Sequence, residues 1–210
     1  MSVEQATHDR SGSQDGGHIK SVCVFCGSAP GRDPRFVEAA RDTGALLARR
    51  GLGLVYGGGH VGMMGALADA ALAAGGQVTG VIPRHLMRPE VAHLGLSELI
   101  VVESMHQRKR LMADRADCFL VLPGGYGTLD ETFEMTTWLQ LGLQRKPLAL
   151  VNVAGYFDPL LRWVQQAVDC GFVQRGQAHL WRVAPTPEAA LAQLEPGPWP
   201  PPQTPPEKPD

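Results

Sequence analysis

Short apolar runs rich in β-branched residues recur along the chain, and the stretches between them carry apolar residues at helical spacing. The runs are Ser21–Cys26, Leu52–Tyr56, Gln77–Ile82, Glu98–Val102, Cys118–Leu122 and Pro147–Val151. Helical spacing falls in Pro34–Arg50, Val61–Ala74, Met105–Arg115, Thr128–Leu143 and Pro159–Cys170. Strands that are apolar throughout, separated by helix-length segments, must be covered on both faces, and this requires crossover helices and parallel pairing. The expected fold is α/β: a doubly wound, Rossmann-like parallel sheet of about six or seven strands flanked by helices. Ligands of such sheets bind beyond the carboxyl ends of the strands, where the strand-to-helix loops gather. Gly27-Ser28, Gly57-Gly58-Gly59, Pro83-Arg84 and Pro123-Gly124-Gly125 all follow a run, so these loops are the place to look for chemistry.

The chain has 210 residues, 44% of them hydrophobic and 19% charged, which suits one domain with a continuous core, expected over residues 20–195. A polar tail is expected over residues 1–19 and a proline-rich one over 196–210, where eight of fifteen residues are proline and helix and sheet are both disfavoured. With 19 basic and 21 acidic side chains, the overall balance offers no surface for nucleic acid or an anionic membrane, so any phosphate handling must be local. No secretory or membrane-spanning segment is present, and a cytoplasmic protein is expected. Cys23 and Cys26 form a C-x-x-C inside an apolar run, where a strand would send them to opposite faces. Buried thiols, rather than a redox or zinc pair, follow from that placement, and no metal site is expected.

Leu120 to Glu131 runs from a buried strand through a glycine-rich turn into a helix. Gly124, Gly125, Tyr126, Gly127 and Thr128 have the outline of a phosphate site, because glycines let backbone amides approach an oxyanion and a helix start carries partial positive charge. This loop has neither the Walker sequence nor G-x-G-x-x-G spacing, which favours a monophosphate. The plainer alternative is a tight turn with Thr128 as helix cap, and Thr128 with Glu131 is spaced as a capping box. Gly58 and Gly59 form a second possible phosphate loop, and Ser28 stands on a third loop at the same edge. His60 reads as a loop residue.

Ser104 and Gln107 also have capping-box spacing, which places Arg108 and Lys109 in the first turns of a helix. Cations gain nothing from the dipole there, so a substrate phosphate or nearby carboxylates must compensate them. A solvated face is the plainer reading for Arg108, Lys109 and Arg110. Glu131 and Glu134 share a helix face, and glycosyl cleavage through an oxocarbenium-like transition state needs a carboxylate beside the anomeric carbon.

The segment Pro123-Gly-Gly-Tyr-Gly-Thr-Leu-Asp-Glu131 resembles the PGGxGTxxE signature of the Lonely Guy (LOG) family, cytokinin riboside 5′-monophosphate phosphoribohydrolases. The resemblance extends from about Val22 to Phe172 through Cys26-Gly-Ser28, Tyr56-Gly-Gly-Gly59, Met105-His-Gln-Arg-Lys109, Trp138-Leu-Gln-Leu-Gly142 and Gly155-Tyr156. It implies hydrolysis of an adenine-type nucleotide, AMP included, to free base and ribose 5-phosphate, with no metal or organic cofactor. Members of the family have been labelled lysine decarboxylases. Carried over by position, the resemblance makes Arg108 and Glu131 catalytic, and Glu90, Lys109, Gly125 to Thr128 and Thr137 substrate contacts. It also implies a homodimer joined through the helices after the phosphate loop, where Thr132–Leu143 carries more apolar surface than one face needs. Molybdenum-cofactor carriers share a similar fold and glycine loop, and a non-catalytic nucleotide or cofactor binder is the alternative. The Arg108-Lys109 pair with Glu131 speaks against that alternative, because binding alone does not call for a carboxylate beside a phosphate.

Overall fold

The computed structural model describes residues 18–88 and 90–194. Most of both expected tails, residues 1–17 and 195–210, lies outside the described residues. The elements follow in the order β1 (Ser21–Phe25), α1 (Pro34–Arg49), β2 (Gly53–Tyr56), α2 (Gly62–Ala73), β3 (Val78–Pro83), β4 (Glu98–Val102), α3 (Met105–Asp114), β5 (Cys118–Val121), α4 (Tyr126–Gln140), β6 (Leu148–Val151), α5 (Asp158–Asp169), β7 (Trp181–Ala184) and α6 (Pro187–Leu194). The strands form one seven-stranded sheet, ordered β4-β3-β2-β1-β5-β6-β7, and every pairing is parallel.

Alternation along the strands divides the core between two faces. Val22, Val24 and Cys26 pack with Leu47, Met63 and Leu67 under α1 and α2. Cys23 and Phe25 pack with Met112 and Met135 on the side of α3 and α4. Cys23 and Cys26 thus lie on opposite faces, both buried and unpaired, as strand geometry requires. Ile19, immediately before the expected domain start, packs against the first of these cores.

Local rules account for the helix starts on this frame. At α1, Asp33 accepts the Arg35 backbone N–H at 3.0 Å and Pro34 fills the first turn, where its missing N–H is not needed. At α3, Ser104 accepts from Gln107 N–H at 3.2 Å, while the Gln107 side chain accepts from Glu103 N–H at 2.9 Å. The reciprocal arm of the capping box therefore reaches one residue earlier than the pattern predicts.

Three expectations need correction. Helix α4 starts at Tyr126 with Gly125 as its N-cap and no side-chain cap, so Thr128 is already inside the helix and the Thr128–Glu131 capping box does not exist. The glycine pair before Tyr126 lets the chain enter the helix earlier than a threonine cap would. The helix also stops at Gln140, because Gly142 takes a positive φ of 72° and ends it. Finally, β7 and α6 lie in a stretch to which the periodicity assigned nothing. β7 is a four-residue edge strand interrupted by Arg182, too short and polar to stand out.

The order reverses between β1 and β5: from β1 the chain winds outward to β4, then returns to pair β5 on the other side of β1. Loops leaving the two strands at that point must diverge, which opens a crevice at the carboxyl edge. The Gly27 N–H donates to Pro123 O at 3.0 Å and joins the two loops at its base.

Candidate active site

A cavity of about 380 Å³ occupies this crevice, within the roughly 300–1,000 Å³ usual for small-molecule sites. Its lining includes Gly27 and Ser28 after β1, Gly57 and Gly59 after β2, and Gly125, Tyr126, Gly127, Thr128 and Glu131 from α4. Arg108 of α3 completes the polar part, and Val61, Met64, Ile82, Leu86 and Val91 form an apolar wall.

The glycine turn presents amides rather than side chains. The first hydrogen bond inside α4 runs from Leu129 N–H to Gly125 O at 3.1 Å, so the N–H groups of Tyr126, Gly127 and Thr128 precede the helical ladder. A Cβ on Gly125 or Gly127 would meet nothing within 4 Å, whereas one on Gly124 would run into the Thr128 hydroxyl and the Gly27 amide. Gly124 is thus the hinge on which the turn folds flat, and Gly125 and Gly127 are its open side. Tyr156 supports the turn from behind by donating its hydroxyl to Gly124 O at 2.5 Å.

Arg108 and Glu131 face each other at the floor, with Arg108 Nη1 3.5 Å from Glu131 Oε1 and exposures of only 7% and 4%. Arg108 is fixed by its other donors: Nε donates to Val81 O at 3.1 Å and Nη2 to Gly57 O at 3.5 Å. A side chain at residue 57 would collide with this guanidinium, so glycine is required for the arginine to lie flat across the strand ends. Glu131 has a pKa pushed up from 4.5 to about 7. Burial is the main cause, opposed by Arg108, with Asp130 raising it, Lys109 lowering it and Glu134 raising it. A carboxyl in that range exchanges its proton near neutral pH, the condition for general acid–base work.

The expected site residues divide accordingly. Arg108, Glu131, Ser28, Gly59, Gly125, Tyr126, Gly127 and Thr128 line the cavity. Gly124 and Gly58 do not; both act behind the lining, Gly58 at a φ of 74° with its carbonyl accepting from His93 N–H at 2.9 Å. Lys109 is buried next to Arg108 but outside the lining, paired to Asp130 and Glu134. Carboxylates therefore compensate this cation, one of the two possibilities the helix start left open. Glu90 is exposed and outside the lining. Thr137 is exposed on α4, and its hydroxyl donates to Phe133 O at 2.8 Å. Arg110 alone of the basic triplet meets the solvated-face reading, bonded to Asp114 on the surface.

The apolar wall and Cys26 are what residue-type reasoning missed. Hydrophobic residues carry no chemical signature, and only their places after β3 and at the start of α2 could have marked them. Burial, then Glu131, raises the Cys26 thiol far above its ordinary value, so it lines the cavity as an apolar group.

Residues 64–194 match a family model described as possible lysine decarboxylase. The chain is 47% identical over 177 residues to the cytokinin riboside 5′-monophosphate phosphoribohydrolase LOG5 of Arabidopsis thaliana, covering 84% of this chain and 78% of the relative. It is 52% identical over 155 residues to the cytokinin riboside 5′-monophosphate phosphoribohydrolase of Rhodococcoides fascians, covering 73% of this chain and 78% of the relative. The chain belongs to the LOG family. Solved structures add the fold alone. The molybdenum cofactor binding protein of Rippkaea orientalis superposes with a TM-score of 0.63 at 20% identity, covering 83% of this chain and 95% of that one. The molybdenum cofactor carrier of Chlamydomonas reinhardtii gives 0.60 at 22%, covering 83% and 97%. These relatives are named as phosphoribohydrolases, and among the described residues the cavity lining contains no lysine.

Proposed function

We propose that the protein hydrolyses the N-glycosidic bond of adenine-type nucleoside 5′-monophosphates, cytokinin nucleotides and AMP, releasing the base and ribose 5-phosphate. The observation that carries the reading is the buried Arg108–Glu131 pair at the floor of a cavity whose rim is a glycine-bounded helix start. The amides of Tyr126, Gly127 and Thr128 take the phosphate, helped by the partial positive charge of α4. Glu131, one and a half turns further along the same helix, then meets the furanose near C1′.

As the C1′–N9 bond breaks, positive charge develops on the ribose, and ionised Glu131 stabilises it and takes a proton from the attacking water. The water oxygen joins C1′ and the electron pair of the broken bond leaves with the base, which gains a proton. Arg108 orients Glu131 and holds it partly ionised despite burial. The wall of Val61, Met64, Ile82, Leu86 and Val91 packs against the base and any apolar substituent on it. Because ionised Glu131 is the active form, turnover rises with pH through about 7.

The same reading includes a homodimer in the cytoplasm. Leu141 and Leu143, just after α4, are 65% and 69% exposed, and Phe172 after α5 is 87% exposed. Surface of this kind supports association with a second copy. Among the described residues no helix is long and apolar enough to cross a membrane. The hydrolase is tested by incubating the protein with AMP, isopentenyladenosine monophosphate, the corresponding nucleosides and lysine, with Glu131→Gln as control. Free base from the monophosphates alone, lost in the variant by about 10²-fold or more, is expected. Base release that survives in Glu131→Gln removes the carboxylate from the mechanism, and binding without release favours a carrier.

A further inference from the structure

Lys109 neighbours Arg108 in α3, yet it faces a different partner. Its ammonium lies 3.0 Å from Asp130 Oδ2 and 3.0 Å from Glu134 Oε2, two carboxylates of α4 that flank Glu131. The side chain is 8% exposed and does not line the cavity. Burial pulls the ammonium's pKa down, but the hydrogen bonds to Asp130 and Glu134 outweigh it, and the pKa lies above the ordinary lysine value. Lys109 is therefore a fixed cation between two anions, and a phosphate reaching for it would meet a cluster whose formal charge is already negative.

We propose that Lys109 is a positioning residue for the reaction, one that never touches substrate but clamps α3 to the first turns of α4, so that Arg108 and Glu131 meet across the cavity floor. This rests on the hydrolase reading. Two consecutive residues of α3 each grip α4, Arg108 through Glu131 and Lys109 through Asp130 and Glu134. The second grip fixes the distance of the first. It also sets the charge around Glu131, which is faced by Arg108 and Lys109 from α3, by Asp130 and Glu134 from its own helix, and by the buried thiols of Cys23 in β1 and Cys26 just after it. Lys109 favours its ionised form and Glu134 opposes it.

The two sides of the clamp therefore have opposite signs, which a merely structural contact would not produce. The test compares Lys109→Met and Glu134→Gln in the full chain. The Glu131 carboxyl is titrated by ¹³C NMR, and kcat and KM for AMP are measured against pH. In Lys109→Met the titration midpoint and the acid limb of kcat should move up by roughly half a unit to one unit, less than the one to three units of a directly contacting charge. In Glu134→Gln, where Gln can still accept from Lys109, both should move down. KM for AMP should stay within about threefold while kcat falls roughly tenfold in Lys109→Met, the signature of lost positioning. A raised KM in Lys109→Met with an unmoved midpoint makes Lys109 a phosphate ligand and overturns the proposal. Should Lys109→Met not fold, the direction in the isosteric Glu134→Gln decides alone, an unmoved or rising midpoint overturning the proposal. Opposed NMR shifts in the two variants, together with a wild-type protein that releases no base, would leave the charge clamp standing and overturn the hydrolase reading instead.

Discussion

Replacing Glu131 by Gln should stabilise the protein at alkaline pH while removing its chemistry. In the fold this carboxyl has its pKa raised from 4.5 to about 7, chiefly by burial and only partly offset by Arg108. At about 1.4 kcal/mol per pH unit, ionising it in the folded protein costs roughly 3 kcal/mol relative to the unfolded chain. The sign follows from proton counting. Between pH 4.5 and about 7 the folded protein holds a proton on Glu131 that the unfolded chain has released, so stability falls as pH rises across that window and levels off above it. Gln imitates the neutral acid and carries no such penalty. Urea unfolding should therefore show Glu131→Gln more stable than wild type by roughly 3 kcal/mol at pH 8 and by less than about 1 kcal/mol at pH 5. In thermal unfolding at pH 8 the difference corresponds to roughly 6–12 °C for a chain of this size. Equal or lower stability of the variant at pH 8 would mean that Arg108 stabilises the ionised carboxylate beyond its burial cost, and the reasoning from desolvation would be wrong.

The glycine turn yields a paired prediction. Gly124→Ala places a methyl against the Thr128 hydroxyl and the Gly27 amide, and should destabilise the fold by about 1–3 kcal/mol and disrupt nucleotide binding. Gly127→Ala meets no atom within 4 Å and should fold as wild type while weakening phosphate binding, a contrast that calorimetry with AMP and urea unfolding together resolve. For the assembly, Leu143→Asp at a 69% exposed position should leave the monomer fold intact and shift sedimentation from dimer to monomer; a wild-type protein that sediments only as monomer removes the dimer.

Much of this architecture was legible from periodicity because each layer imposes its own repeat. Strands buried on both faces favour unbroken apolar runs, so those that became β1, β2, β3, β5 and β6 stood out, and the edge strand β4 showed through its own run Leu99–Val102. The edge strand β7 has no such constraint and left no signal. The turn from Pro123 into α4 was legible in type, since glycines there have a backbone reason, but the start of the helix was misplaced because a capping pattern at Thr128 imitates one that Gly125 makes unnecessary.

Residue chemistry and order along the chain determined by themselves that an anion-binding helix start, an arginine and a glutamate would reach one edge of the sheet. Tertiary structure alone decided how they are used there. Arg108 and Lys109 are adjacent in sequence and identical in sign, yet one reaches the cavity floor and the other is locked between Asp130 and Glu134. Successive residues of a helix point about 100° apart, and which neighbour each direction meets depends on how α3 and α4 cross the sheet. The same packing removed water from Glu131 and brought its pKa toward neutrality. Desolvation is a property of everything that surrounds a group, and no local pattern of residues encodes it.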